Sequence, residues 1–114
     1  DDELLVVDEF QQVAPLLLAT DDGSKGMHGL VTDLLAKEIN GPATIYTCGP
    51  TPMMKGVATL CRDRNWPCQV SLETMMACGM GACLGCAVES RIESDHYLHA
   101  CMDGPVFPAD ALKI

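Results

Sequence analysis

The sequence of 114 residues has no apolar stretch long enough to cross a lipid bilayer. No pattern typical of a secretory signal peptide opens it. Hydrophobic residues make up 48% of the sequence and charged residues 20%, a balance typical of a globular protein that can bury a core. We therefore expect a cytoplasmic protein of about one domain's length. Because the sequence starts at Asp1-Asp2 rather than at Met, we expect a fragment or a processed chain.

The sequence is also poor in positive charge, with 7 Lys and Arg residues against 16 Asp and Glu residues. Its formal net charge is −9 at pH 7. Because nucleic acids and anionic membranes repel such a chain, we expect neither as a partner.

Familiar catalytic and nucleotide-binding motifs are missing as well. The sequence has no G-x-G-x-x-G turn and no P-loop. It shows no Ser/His/Asp or Cys/His arrangement for nucleophilic catalysis and no pair of carboxylates placed for acid–base work. We therefore predict no catalytic residue, and the chemistry that remains lies in the cysteines.

Four of the seven cysteines follow a recognisable spacing. Their pattern is C-x4-C-x2-C with a fourth cysteine after a gap of fourteen residues, formed by Cys78, Cys83, Cys86 and Cys101. Plant-type [2Fe–2S] clusters have this ligand pattern. It predicts that these four cysteines are metal ligands in a protein that moves electrons one at a time.

Three glycines, Gly79, Gly81 and Gly85, interleave with the first three of these thiols. Glycine allows the backbone to take positive φ and to bring its N–H groups close to sulfur. Hydrogen bonds to cluster sulfurs stabilise the added electron and help to set the reduction potential. The glycine content therefore supports the same prediction.

Three other interpretations of the cysteines stay open. A structural zinc site more often has two C-x2-C pairs, and this sequence has one. A disulfide framework fits an odd number of cysteines poorly. Inert buried thiols are common, and this is our interpretation of Cys61 and Cys68.

The order of apolar runs and helical patterns predicts an α/β fold. The predicted elements are a short helix at 3–10, a strand at 15–20, a helix at 30–39, a strand at 44–48, a helix starting near 51 and a strand at 67–72. Thr51 suits the N-cap of the third helix and Pro52 its first position. The apolar face of that helix consists of Met54, Val57, Ala58 and Cys61. Strands and helices that alternate in this way are typical of a parallel sheet with crossover helices.

Beyond residue 73 the composition changes to loops rich in Cys, Gly and Met, with short strand-like runs between them. We therefore predict a partial parallel-sheet lobe at 1–73, followed by a small β-rich [2Fe–2S] cluster domain at 74–114. The methionines that flank the cysteines are interpreted as an apolar cover rather than core filling: Met75, Met76, Met80 and Met102. His28, His96 and His99 are interpreted as ordinary histidines.

Two loops follow predicted strands, where open parallel sheets bind their ligands. Their candidate binding residues are Asp21, Asp22 and Gly23 in one loop and Cys48, Gly49 and Pro50 in the other. Aspartates can accept hydrogen bonds from ribose hydroxyls, and a helix N-terminus can receive a phosphate or a nicotinamide. Turn chemistry and helix capping explain both loops equally well, so the two interpretations stay open.

Five segments of the chain, taken in order, resemble the electron-transfer subunit of the NAD-dependent bacterial dihydroorotate dehydrogenases. They include the Cys-Gly-Pro loop, the glycine-laced cysteine motif and an Asp-Gly-Pro-Val-Phe tail, at residues 20–24, 46–54, 71–73, 76–86 and 101–107. The resemblance covers nearly the whole chain and points to the C-terminal half of that subunit.

This resemblance implies membership of the ferredoxin–NADP reductase superfamily, with an FAD-binding barrel, an NAD-binding α/β lobe and a cluster domain. It implies a relay in pyrimidine biosynthesis. Electrons from dihydroorotate would pass from the FMN of a catalytic subunit, through the [2Fe–2S] cluster, to FAD and NAD⁺. The same resemblance makes the four spaced cysteines the cluster ligands and places the two loops at the NAD site, with Cys48 near the nicotinamide.

The chain departs from this family in length. It has no region long enough for the FAD barrel, so we expect FAD in the full-length subunit and no catalysis by this chain alone. An exposed sheet edge would favour homodimerisation of the fragment. The alternatives are a reductase subunit of another iron–sulfur flavoprotein complex and a zinc-stapled interaction module.

Overall fold

The computed structural model describes residues 4–114. It has two compact units, one ending at Asn40 and the other spanning Gly41–Ile114. The predicted boundary at 73/74 falls inside the second unit and stays a prediction. Within residues 4–114, no helix combines the length and apolar character that a membrane span needs.

The first unit is a small α/β assembly. Its elements are α1 (Val7–Val13), β1 (Ala19–Thr20), β2 (Met27–His28) and α2 (Val31–Glu38), with β1 parallel to β2. The helix expected at 3–10 begins later, at Val7, and Glu3 lies outside the described residues. The strand expected at 15–20 is reduced to two residues, because its partner β2 is also only two residues long.

The second unit contains a three-stranded sheet. β3 (Ile45–Cys48) and β4 (Cys68–Ser71) are parallel and connected by α3 (Thr51–Arg64), as the sequence predicts. The third strand, β7 (Val106–Pro108), is antiparallel to β4 and places Phe107 opposite Val70. Both side chains belong to the core, at 4% and 0% exposure.

Helix α3 packs one apolar face into this core. All four residues predicted for that face, Met54, Val57, Ala58 and Cys61, are buried. The N-cap is Pro50 rather than Thr51, a displacement of one residue. At the other end Asn65 takes a left-handed conformation with φ 57°, which asparagine tolerates better than most residues.

The remaining elements follow the cysteine loop in the sequence. β5 (Ala87–Glu89) and β6 (Tyr97–His99) form an antiparallel pair, followed by α4 (Ala100–Asp103) and a 3₁₀ turn at Ala109–Ala111. The expected short strands therefore exist. The architecture is a mixed α/β fold with small sheets, and β7 makes the cysteine-rich segment continuous with the sheet of β3 and β4.

Candidate metal centre

The cysteine loop adopts the backbone conformation that its glycines predict. Gly79 and Gly81 have φ values of 68° and 77°, in the left-handed region that glycine enters readily. Gly85 instead allows close packing of two backbone segments, because a Cβ there would lie 3.2 Å from the carbonyl oxygen of Met75. Leu84 also has positive φ, at 60°, which the sequence did not indicate.

Three backbone N–H groups converge on the sulfur of Cys78. The nitrogens of Met80, Ala82 and Cys83 lie 3.4, 3.3 and 3.4 Å from Cys78 Sγ. These hydrogen bonds, with a further one from the Cys83 side chain, lower the pKa of Cys78 to about 6. The loop therefore favours the thiolate, which is the form that binds metal.

Cys83 completes a first pair of thiols with Cys78. Its side chain hydrogen-bonds to Cys78, and its own sulfur accepts the N–H of Gly85 at 3.4 Å. Cys83 is exposed and Cys78 is half-buried, so this pair lies at the surface of the unit.

Cys86 and Cys101 form a second pair, with sulfur atoms 3.3 Å apart. Cys86 precedes β5 and is 1% exposed, while Cys101 lies in α4. The backbone N–H and the thiol of Cys101 lower the pKa of Cys86, and the same contact raises the pKa of Cys101. A backbone hydrogen bond from Gly81 lowers the pKa of Cys101 and partly offsets this increase. Through this bond the loop around Cys78 contacts the second thiol pair.

This donor set fits an iron–sulfur cluster. Each iron of a [2Fe–2S] cluster takes two protein ligands, and the chain supplies two thiol pairs linked by a loop of N–H donors. In the part of the chain that the structure describes, no three Cys, His, Asp or Glu side chains are grouped tightly enough to hold a single metal ion.

The methionines around the loop are exposed, which excludes a core-filling role for them. Exposure is 78% for Met75, 41% for Met76, 69% for Met80 and 63% for Met102. Met102 packs on the loop, because its sulfur would lie 2.8 Å from a Cβ added to Gly81. These side chains leave an apolar surface around the thiols.

The three histidines show no common site. His28 is exposed, and His96 lies 3.7 Å from the carboxylate of Glu93. His99 is half-buried, with Nδ1 4.0 Å from Asp103 and a buried Nε2 that has no hydrogen-bond partner.

The loop of Asp21, Asp22 and Gly23 shows the turn chemistry that was one of its two interpretations. Asp22 accepts the N–H of Ser24 at 2.9 Å, and this bond lowers the pKa of Asp22. Gly23 has φ 70°, a conformation suited to glycine. A role for this loop in nucleotide binding stays a prediction.

The loop of Cys48, Gly49 and Pro50 borders a cavity of about 340 Å³ at the start of α3. Because β3 and β4 are parallel and Cys48 pairs with Ser71, Glu73 comes within reach of Cys48. The two side chains are hydrogen-bonded at 3.7 Å. Thr74 also lines the cavity, with a buried hydroxyl that has no partner. Sequence reasoning missed Glu73 and Thr74 as site residues, since only strand register brings them to this loop.

Together, the sheet and the thiol loop have the thiols and N–H donors that suit an iron–sulfur domain. Residues 73–113 match the family described as "Iron-sulfur cluster binding domain of dihydroorotate dehydrogenase B". The NADH-dependent reduced ferredoxin–NADP oxidoreductase, solved in a study of flavin-based electron bifurcation, has a similar structure. The match has a TM-score of 0.79 and 35% identity, covering 99% of this chain and 41% of that one.

Curated relatives give the narrower assignment. The chain is 41% identical to the dihydroorotate dehydrogenase B (NAD⁺) electron transfer subunit of Caldanaerobacter subterraneus, over 95% of this chain and 44% of the relative. It is 42% identical to the probable subunit of the same name from Methanocaldococcus jannaschii, over 98% and 42%. Over nearly its whole length the chain is similar to these electron-transfer subunits, and it spans less than half the length of these relatives.

Proposed function

We propose that this chain is the cluster-bearing part of an electron-transfer subunit in an NAD-dependent dihydroorotate dehydrogenase. In the whole protein, electrons would pass from the FMN of a dihydroorotate-oxidising catalytic subunit to FAD and NAD⁺, in pyrimidine biosynthesis. The observation that carries the proposal is the hydrogen bonding of one loop to thiols of both pairs. Its N–H groups donate to the sulfur of Cys78, and Gly81 of the same loop hydrogen-bonds to Cys101.

The four cysteines that would hold the [2Fe–2S] cluster are Cys78, Cys83, Cys86 and Cys101. When bound, the cluster supplies one-electron transfer between cofactors that also handle electron pairs. The N–H groups at Cys78 offset negative charge on the sulfur, and the burial of Cys86 keeps water from one side of the centre.

The loop of Cys48, Gly49 and Pro50 is proposed to contact the nicotinamide, with Glu73 fixing the orientation of the Cys48 thiol. Asp21, Asp22 and Gly23 are proposed as separate nucleotide contacts. In this assignment residues 1–73 belong to a partial NAD-binding lobe and 74–114 to the cluster domain. FAD binding and catalysis require parts of the relatives that this chain does not span.

The catalytic subunit is proposed to dock on the methionine surface, defined by Met75, Met76, Met80, Leu84 and Met102. Each of these side chains is at least 41% exposed, and none carries charge. An electron donor must approach the thiol pairs closely, and an uncharged surface permits this with little desolvation cost. The same surface is also proposed to favour dimerisation of the fragment.

The test is metal analysis of the full-length subunit, combined with visible absorption and electron paramagnetic resonance. We expect two irons per chain, visible bands that bleach on reduction, and a signal from one unpaired electron. Serine at any of the four ligand positions should abolish the bands, while Cys68→Ser should retain them. A colourless protein with stoichiometric zinc would contradict the proposal.

A second candidate is a reductase subunit of another iron–sulfur flavoprotein complex. It is favoured by the 35% identity to the ferredoxin–NADP oxidoreductase structure. Purification of the full-length subunit with its natural partner separates the two. A flavin-containing partner that oxidises dihydroorotate supports the first, and one that does not supports the second.

A further inference from the structure

The few cations of this acidic chain are concentrated at one place. A cavity of about 490 Å³ in the second unit is lined by Lys55, Arg62, Arg91 and Lys113. These are four of the seven Lys and Arg residues in a chain of net charge −9. The cavity shares only Ile114 with the one beside Cys48.

Two parts of the fold build this cluster of cations. Lys55, Thr59 and Arg62 are spaced i, i+4 and i+7, so they lie on one exposed face of α3. On the other side, a β-bridge joins Ser90 to Leu112.

Backbone hydrogen bonds flank that bridge. Arg91 N–H donates to Ala111 O at 2.9 Å, and Lys113 N–H donates to Glu89 O at 3.0 Å. In this antiparallel register Arg91 lies opposite Ala111 and Lys113 opposite Glu89, so Arg91 and Lys113 are diagonal neighbours on one face of the bridge. Both line the cavity together with the helix face.

Acidic side chains neutralise only half of these charges. Lys113 Nζ lies 2.5 Å from Glu89 Oε1, and Arg62 Nε lies 3.5 Å from Asp110 Oδ1. Lys55 and Arg91 form no ion pair within residues 4–114. Of the four cationic side chains at the cavity, two are therefore paired with an acidic side chain and two are not.

We propose that this basic cavity binds a small anion that carries a di- or polyphosphate. A monocarboxylate offers one charge, whereas two unpaired cations on opposite walls require a ligand with several separated charges. Arg91 is suited to bidentate contact with one phosphate group and Lys55 to a point contact with another. Ile114, which is half-buried, lines the same cavity and gives an apolar contact for the remainder of an organic phosphate.

This site does not depend on the cluster or on the proposed relay. Inorganic pyrophosphate and a nucleoside triphosphate share the recognised chemistry, so both serve as probes. Isothermal titration of the full-length subunit at low salt measures each of them.

We expect saturable binding that weakens as salt is raised. Lys55→Gln or Arg91→Gln should weaken binding by about tenfold or more, because each removes a charge-assisted hydrogen bond. Lys25→Gln is the matched control, since it makes the same change in net charge in the first unit and should alter affinity by less than about twofold.

The comparison of the two probes identifies the ligand source. Tighter binding of the nucleotide assigns Ile114 a role in binding, and equal binding assigns the site to the phosphates alone. Absence of saturable binding of both probes overturns the proposal, as does equal weakening by Lys25→Gln. Lys55 and Arg91 are exposed, so a thermal melt that matches wild type will show that the variants are folded.

Discussion

At the scale of single residues, the cysteines of this chain differ most in how easily they ionise. Backbone N–H groups lower the pKa of Cys78 to about 6, whereas burial raises the pKa of Cys61 to about 12. Cys61 is 1% exposed on the inner face of α3, and its neighbour Cys68 raises its pKa further. The interpretation of Cys61 as an inert thiol agrees with this environment.

The raised pKa of Cys61 predicts a loss of stability in alkali. The unfolded thiol ionises near pH 9.0 and the folded one only near 12, so between these values the unfolded state binds fewer protons. The contribution is complete below pH 9 and is lost as pH rises, by up to about 1.4 kcal/mol per pH unit. Urea unfolding at pH 7, 9 and 10 measures it. Cys61→Ala should show a shallower fall above pH 9, and identical slopes would contradict this assignment.

Two glycines of the thiol loop provide a matched pair of variants. Gly79 and Gly81 both have positive φ, so alanine at either costs about 1–2 kcal/mol of backbone strain. A Cβ at Gly79 meets no atom within 4 Å, whereas one at Gly81 approaches the Met102 sulfur. We expect Gly81→Ala to lower the iron content per chain more than Gly79→Ala does. Equal iron content in the two variants would show that contact with Met102 is unimportant.

At the scale of elements, the sequence predicted the helices and strands that are defined by a pattern within their own residues. The spacing of Met54, Val57, Ala58 and Cys61 defined the buried face of α3, and short apolar runs located β3 and β4. Strand β7 was missed, because Val106–Pro108 is defined by its pairing with β4 and not by a pattern of its own. The contraction of β1 has the same origin, since its length depends on its partner.

Strand β7 should contribute strongly to stability. Phe107 is 4% exposed and packs in the core with Val70 and Leu112, so Phe107→Ala should lower the free energy of unfolding by about 3–5 kcal/mol. Val106 is 48% exposed, and Val106→Ala should cost well under half as much. Chemical denaturation of both variants gives the comparison. Similar losses would mean that β7 does not close the core.

At the scale of the whole molecule, four of the seven Lys and Arg residues line the basic cavity of the second unit. The thiol pairs of the same unit lie beside the exposed methionine surface. The sequence indicated the four cysteines and the methionine cover. It did not indicate the basic cavity or the contact of Cys48 with Glu73, because both arise where separate segments meet.

The methionine surface predicts a selective defect in partner coupling. Met75→Ser should slow electron transfer from the catalytic subunit and leave the visible spectrum unchanged, because Met75 is 78% exposed and is not a ligand. Ile92→Ser is the control, since Ile92 is 77% exposed in the same unit but lies outside the methionine surface. Stopped-flow reduction of the assembled complex measures both rates. An equal effect of the two variants would place the docking surface elsewhere.

The pairing of β4 with β7 also bears on the entropy of gathering four distant thiols. Ser71 is paired with Val106, and Leu72 N–H donates to Pro105 O at 2.9 Å, so the segment with all four cysteines leaves and returns at adjacent backbone positions. The segment is therefore a long loop between β4 and β7, and the pairing of these two strands joins its ends. Formation of the sheet therefore already includes much of the entropy loss of closing this loop, so binding of iron by the thiols loses correspondingly less entropy.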